Sequence, residues 1–137
     1  MDSLLSTRRI QYRTDLFVLS LAGEVDLRTA PDLEQAFGDD LPPVTVVDLT
    51  RVTFLAAAGL RVLVEATERA RSKGCQIGLV ADDRLALRVL RVSGIAASIP
   101  TFGSLSDALR ELALPVNGNG NGNGATESIP ESPRRRG

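Results

Sequence analysis

Val46 to Ala66 reads VVDLTRVTFLAAAGLRVLVEA, and its hydrophobic period changes partway along. The first part continues VTVVDL, Val44 to Leu49, a short apolar and β-branched run bounded by proline and followed by polar residues, as strands are. Three alanines, Ala56, Ala57 and Ala58, then make a turn with no side chain larger than a methyl group. From Ala57 onward the spacing is helical, with Leu60, Leu63, Val64 and Thr67 predicted to form one buried stripe. Gly74 closes this run behind Arg71 and Lys73, giving a helix of about four turns. The stretch therefore predicts a buried strand feeding a helix.

Working outward, Phe17 to Leu21 (FVLSL) is a second strong strand, while Ile10 to Arg13 and Gln76 to Val80 are weaker ones. Thr29 to Phe37 reads as a helix: Thr29 is the expected cap, Asp32 the capping-box acid, and Pro31 falls in the first turn. Leu33 and Phe37 share one face, and Gly38 ends the helix. A third helix is expected from Asp82 or Asp83 through LALRVLRV to Gly94, and a fourth over Leu105 to Leu112 behind the cap Ser104. Ala97 to Pro100 between them reads as a short edge strand. The order ββαβαβαβα predicts an α/β fold, a mixed central sheet of about four to five strands with about four helices on its faces.

The chain has 137 residues, 43% of them hydrophobic, and a net charge of -1, which suits one folded domain with one core. Its 16 basic and 17 acidic residues are interspersed up to about Leu114, so no basic field suited to direct nucleic-acid binding is expected. Beyond that point PVNGNGNGNGATESIPESPRRRG has almost nothing apolar, and the expected division is a domain over residues 1–114 and a disordered Asn/Gly-rich tail over 115–137. MDSLLSTRRIQYR lacks the long apolar core of a signal peptide or anchor, so no membrane insertion is expected. The lone Cys75 has no partner thiol and fits a reducing, cytoplasmic setting. With no histidine, no paired cysteines and no P-loop, the sequence lacks the parts of hydrolytic triads, usual zinc centres and P-loop chemistry. Neither catalysis, nor a metal, nor a cofactor is expected.

Three local patterns carry a resemblance that composition does not. They are Gly23-Glu24-Val25-Asp26 followed by Thr29-Ala30, Val47-Asp48-Leu49 through Val52-Thr53-Phe54-Leu55 to Gly59-Leu60, and Arg91-Val92-Ser93-Gly94-Ile95. Together, over roughly residues 10 to 113, they make the chain resemble the STAS domain family of bacterial anti-sigma factor antagonists. The resemblance implies the STAS fold and a protein that docks on a kinase-type anti-sigma factor, freeing the sigma factor. In such proteins the kinase phosphorylates a serine at the start of the second helix, and the added charge of about two units breaks the complex.

Aligned on Leu55 and Gly59, the family's Asp, Ser and Ser or Thr fall on Ala56, Ala57 and Ala58. Ala57 thus stands at the phosphoacceptor position with no atom to phosphorylate, and the missing carboxylate at Ala56 costs the helix about 1 kcal/mol. Two consequences stay open: a permanently active antagonist, or a divergent domain serving another partner. The second class includes an accessory subunit of a transporter or stress-signalling complex. A third reading is a small-ligand sensor at the helix start, Ala56 to Gly59, whose backbone donors suit an anion. The expected partner-binding residues are Glu24, Asp26, Ala56, Ala57, Ala58, Gly59 and Arg61. For Glu24 and Asp26 the structural alternative is a solvated turn fixed by Asx-type hydrogen bonds. Arg61 and Glu65, then Glu65 and Arg69, have the spacing of helical ion pairs, and Arg84, Arg88 and Arg91 that of a solvated basic stripe. Cys75 is expected to pack as a small apolar residue.

Overall fold

A computed structural model describes residues 4–82 and 84–112. These form β1 (Leu5–Arg13), β2 (Leu16–Val25), α1 (Ala30–Phe37), β3 (Val44–Leu55), α2 (Ala57–Ser72), β4 (Gln76–Val80), α3 (Arg84–Val92), α4 (Ile95–Ser98), β5 (Thr101–Phe102) and α5 (Leu105–Leu112). The expected tail over 115–137 lies outside the described residues, as does Asp83.

One sheet holds the strands in the order β1-β2-β3-β4-β5. β1 runs antiparallel to β2, and every other neighbouring pair is parallel. This follows from the connections: two residues join β1 to β2, enough for a hairpin, whereas parallel neighbours need crossovers, which the helices supply. The sheet is covered on both faces. Leu19, Leu21, Val47, Leu49 and Leu79 meet Leu33 and Phe37 of α1, Leu63 and Ala66 of α2, and Leu90 of α3. On the opposite face, Leu16, Val18, Val44, Val46 and Val80 lie under Ala108 of α5. Burial on both sides is why β3 begins as a nearly continuous apolar run.

The structure corrects the sequence reading in several places. β1 starts at Leu5 rather than Ile10; as an edge strand with only Leu5 buried, it shows little of the apolar alternation by which strands are recognised. Ala97 to Pro100 is not a strand. Ile95 and Ile99, four residues apart and both buried, instead bring one turn of helix onto the core, and the last strand is displaced to Thr101–Phe102. The buried face of α2 is Gly59, Val62, Leu63, Ala66, Thr67 and Ala70, with Leu60 and Val64 at its margins. The small residues set that face because they let the helix axis approach the sheet. Thr29 precedes α1, but its side chain makes no cap hydrogen bond. Ser104 does cap α5: its Oγ accepts the Asp107 N–H at 3.1 Å.

Candidate functional site

β3 pairs with β4 only as far as Asp48 opposite Val80, yet it pairs with β2 as far as Leu55 opposite Val25. The ends of β2 and β3 therefore continue as a ribbon past β4, with the start of β1 paired along β2 as far as Leu5 opposite Gly23. α3 packs against β3, its Ala86 and Leu90 sharing a core with Val52 and Leu55. The register shifts between Ser20 and Ala22 and again between Gly23 and Glu24, irregularities that bend a strand and re-aim its side chains. Near the first shift, the Thr50 N–H and hydroxyl both donate to Asp48 Oδ1, at 3.0 and 2.7 Å. A side chain thus satisfies a donor where the ladder is irregular. Gly23 has φ +113°, and a Cβ there would lie 2.1 Å from the Leu4 carbonyl oxygen, which also accepts the Glu24 N–H at 2.9 Å. No other residue fits this crossing of β1 and β2.

The three alanines sit at the tip of this ribbon. The Ala56 N–H donates to the Val25 carbonyl at 2.8 Å, and the Ala56 carbonyl accepts from Gly59 and Leu60 at 3.0 and 3.1 Å. Ala56 is extended, with φ -103° and ψ 173°, and has no side-chain acceptor for the first N–H groups of α2. Ala57, the first helical residue, is exposed, and Ala58 is half-buried. Gly59 is buried beneath them: a Cβ there would be 2.2 Å from Val25 Cγ1 and 3.3 Å from Leu55 Cδ1. Gly59 therefore seats the first turn of α2 on the strand ends. Arg61, four residues after Ala57, is exposed on the same side of the helix.

Beside this turn, the loop from β2 to α1 is closed by its own side chains. Asp26 Oδ1 accepts the Arg28 and Thr29 N–H groups at 2.9 and 3.1 Å, and Oδ2 pairs with the Arg28 guanidinium at 3.2 Å. The Thr29 hydroxyl accepts the Asp26 N–H at 2.9 Å and donates to the Glu24 carbonyl at 2.8 Å. Desolvation, the largest single influence on Asp26, raises its pKa, but hydrogen bonds from the Thr29 backbone and from the Arg28 side chain and backbone, together with the Arg28 charge, outweigh it and leave the carboxyl below its ordinary value. The Asp26 side chain is 17% exposed, whereas Glu24, 3.6 Å from Arg28, is 44% exposed. The Asx-turn reading thus describes Asp26, and Thr29 stitches the loop together instead of capping α1.

Among the sequence-singled residues, Glu24, Ala56, Ala57, Ala58 and Arg61 are at least partly accessible around the α2 start, with Gly59 and most of Asp26 underneath. Among the described residues Arg61 and Glu65 form no ion pair, and Arg69 donates to the Gly38 carbonyl at 3.1 Å, binding the end of α1. Arg88 and Arg91 are exposed; the Arg84 side chain is outside the description. Cys75 packs against the core with Sγ 3.8 Å from the Leu41 carbonyl. Two large apolar side chains that sequence reasoning does not single out as site residues are exposed near the ends of β2 and β3: Leu27, 79% exposed, and Phe54, 49% exposed. An isolated Leu between Asp26 and Arg28 is the available signal for the first, whereas Phe54 lies beyond Leu49, where the expected strand ends; β3 in fact runs on to Leu55. No group of three metal-ligating side chains occurs among the described residues, and none of their helices is long and apolar enough to cross a membrane.

A mixed sheet with a protruding strand-turn-helix tip defines a class of α/β domain, and the chain belongs to the STAS family, whose description "Mlab, STAS domain" matches residues 10–111. It is 37% identical over 95 residues to the anti-sigma-F factor antagonist RsfB of Mycobacterium tuberculosis, covering 67% of this chain and 77% of that one. The crystal structure of an anti-sigma factor antagonist from Mycobacterium paratuberculosis superposes with a TM-score of 0.74 at 33% identity, covering 80% of this chain and 95% of that one. The anti-sigma factor antagonist SpoIIAA in its unphosphorylated form shares the fold, with a TM-score of 0.65 at 14% identity over 82% of this chain and 100% of that one.

Proposed function

We propose that the protein is an anti-sigma factor antagonist that docks, through the start of α2 and the adjoining loop, on a kinase-type anti-sigma factor and frees the sigma factor it holds. The likeness to RsfB over most of both chains supports the antagonist assignment. The observation that carries the finer reading is Ala57: it is exposed at the first position of α2, where the family resemblance puts the phosphoacceptor, and it offers only a methyl group. The complex would then be insensitive to the partner's kinase activity. Docking is non-catalytic in this reading and needs neither metal nor cofactor, and residues 1–114 form the docking domain.

The test is binding of the purified full chain to the kinase-type anti-sigma factor of the same cell, with and without ATP and Mg²⁺, while sigma-factor release is followed. A complex that forms, releases sigma factor and survives ATP is expected. Dissociation with ATP, with phosphate found on the chain, would refute the unswitched reading; no complex at all would refute the antagonist reading. Ala57→Ser alone is expected to leave phosphorylation inefficient, because Ala56 still leaves the carboxylate of the usual turn missing.

A further inference from the structure

The docking surface named from sequence consists of small and polar groups, which give shape and charge but little apolar area. Protein interfaces gain most of their affinity from a few large side chains that become fully desolvated, surrounded by contacts that contribute little. Six large apolar side chains are exposed among the described residues: Leu4, Ile10, Tyr12, Leu27, Phe54 and Val92. Leu27 and Phe54 belong to the tip. Phe54 lies two residues before Ala56 and is registered against Glu24. Leu27 lies two residues after Val25, whose carbonyl holds the Ala56 N–H at 2.8 Å. Phe54 comes from β3 and Leu27 from the loop that follows β2, so each lies within two residues of the hydrogen bond that ties Val25 to Ala56.

Neither side chain belongs to the buried core. The loop around Leu27 is held by Asp26, Arg28 and Thr29, through bonds in which the Leu27 side chain takes no part. Val52 and Leu55, not Phe54, enter the core from the end of β3. Both backbones are also ordered before any partner arrives, Leu27 by the Asp26 clamp and Phe54 by strand pairing, so little conformational entropy would be lost on contact. The neighbouring charges differ in kind. Arg28 already faces Glu24 and Asp26 at 3.6 and 3.2 Å, whereas Arg61 has no ion pair among the described residues.

We propose that Leu27 and Phe54 are the two apolar anchors of the docking surface, and that their occupant is an apolar cleft on the anti-sigma factor edged by a carboxylate that meets Arg61. This rests on the antagonist reading above and adds the residues that set affinity and partner choice. The small side chains of the alanine turn let the partner approach the tip closely, and Arg61 fixes the register of approach.

The test uses the full chain and its Leu27→Ala, Phe54→Ala, Arg61→Glu and Tyr12→Ala variants against the purified kinase-type anti-sigma factor that binds the unaltered chain. Leu27→Ala and Phe54→Ala should each weaken binding about tenfold or more, mainly through faster dissociation. Arg61→Glu should slow association, most strongly at low salt. Tyr12→Ala, an exposed aromatic on β1 away from the tip, should bind within about twofold of the unaltered chain. Thermal midpoints are compared alongside, so that a loss of binding without loss of fold is attributed to the surface. If the unaltered chain binds and both alanine variants bind equally well, the anchors are wrong although the antagonist reading stands; if the unaltered chain does not bind, both fail. Self-association abolished by the same two substitutions would give the patch to a second copy of the chain and overturn the proposal.

Discussion

Gly59 occupies a place where two effects of opposite sign compete. Alanine in a helix is favoured over glycine by up to about 1 kcal/mol, but overpacking a core typically costs about 1–3 kcal/mol. The nearest obstacle is a methyl group of Val25, a fully buried β-branched residue whose side chain has little freedom to turn aside. Gly59→Ala is therefore expected to destabilise the protein by about 1–2 kcal/mol, read from a lower urea midpoint at unchanged slope. An unchanged or higher midpoint would mean that α2 moves outward at no cost. At Asp26 the balance is electrostatic. Its folded pKa lies below the ordinary 3.8, so its stabilising contribution is present above that value and is lost as pH falls through the lower folded one. Following the Arg28 and Thr29 amide resonances against pH should give a midpoint below 3.8 for the clamp. A midpoint at or above that value would show that desolvation, not hydrogen bonding, governs the carboxyl.

Elements differ in how they are begun. α2 starts on Ala56 without a side-chain cap and is held by packing of Gly59, Val62, Leu63 and Ala66 on the sheet. The short α5 depends more on its Ser104 cap, because eight residues form little helix on their own. Ser104→Ala should cost about 1 kcal/mol, seen in denaturant unfolding and in faster amide exchange in the first turn of α5. This cap was legible in the sequence because Ser104 stands directly before a helical apolar pattern. The Thr29 assignment failed for a physical reason: the same hydroxyl that suits a cap also suits a loop, and the Glu24 carbonyl lies 2.8 Å from it. The two buried isoleucines around Ala97 likewise fit either an edge strand or one helical turn, and the contact with α3 favoured the turn.

Across the whole molecule, β2 and β3 outrun β4, and the site lies where they do. Their register against each other and the end of the β4 pairing produce that projection, and no local spacing reveals either. The sequence by itself determined the βα unit at Val46 to Ala66, the mixed α/β class, the position of the alanine turn and the chemistry it lacks. Those follow from periodicity and side-chain identity, which are local properties of the chain. Only the tertiary structure decided that Gly59 is buried beneath the turn and that Leu27 and Phe54 are exposed. Burial depends on what other segments bring near, and here those segments are strands and loops more than twenty residues apart in the chain, such as Glu24 opposite Phe54 and Gly59 against Val25.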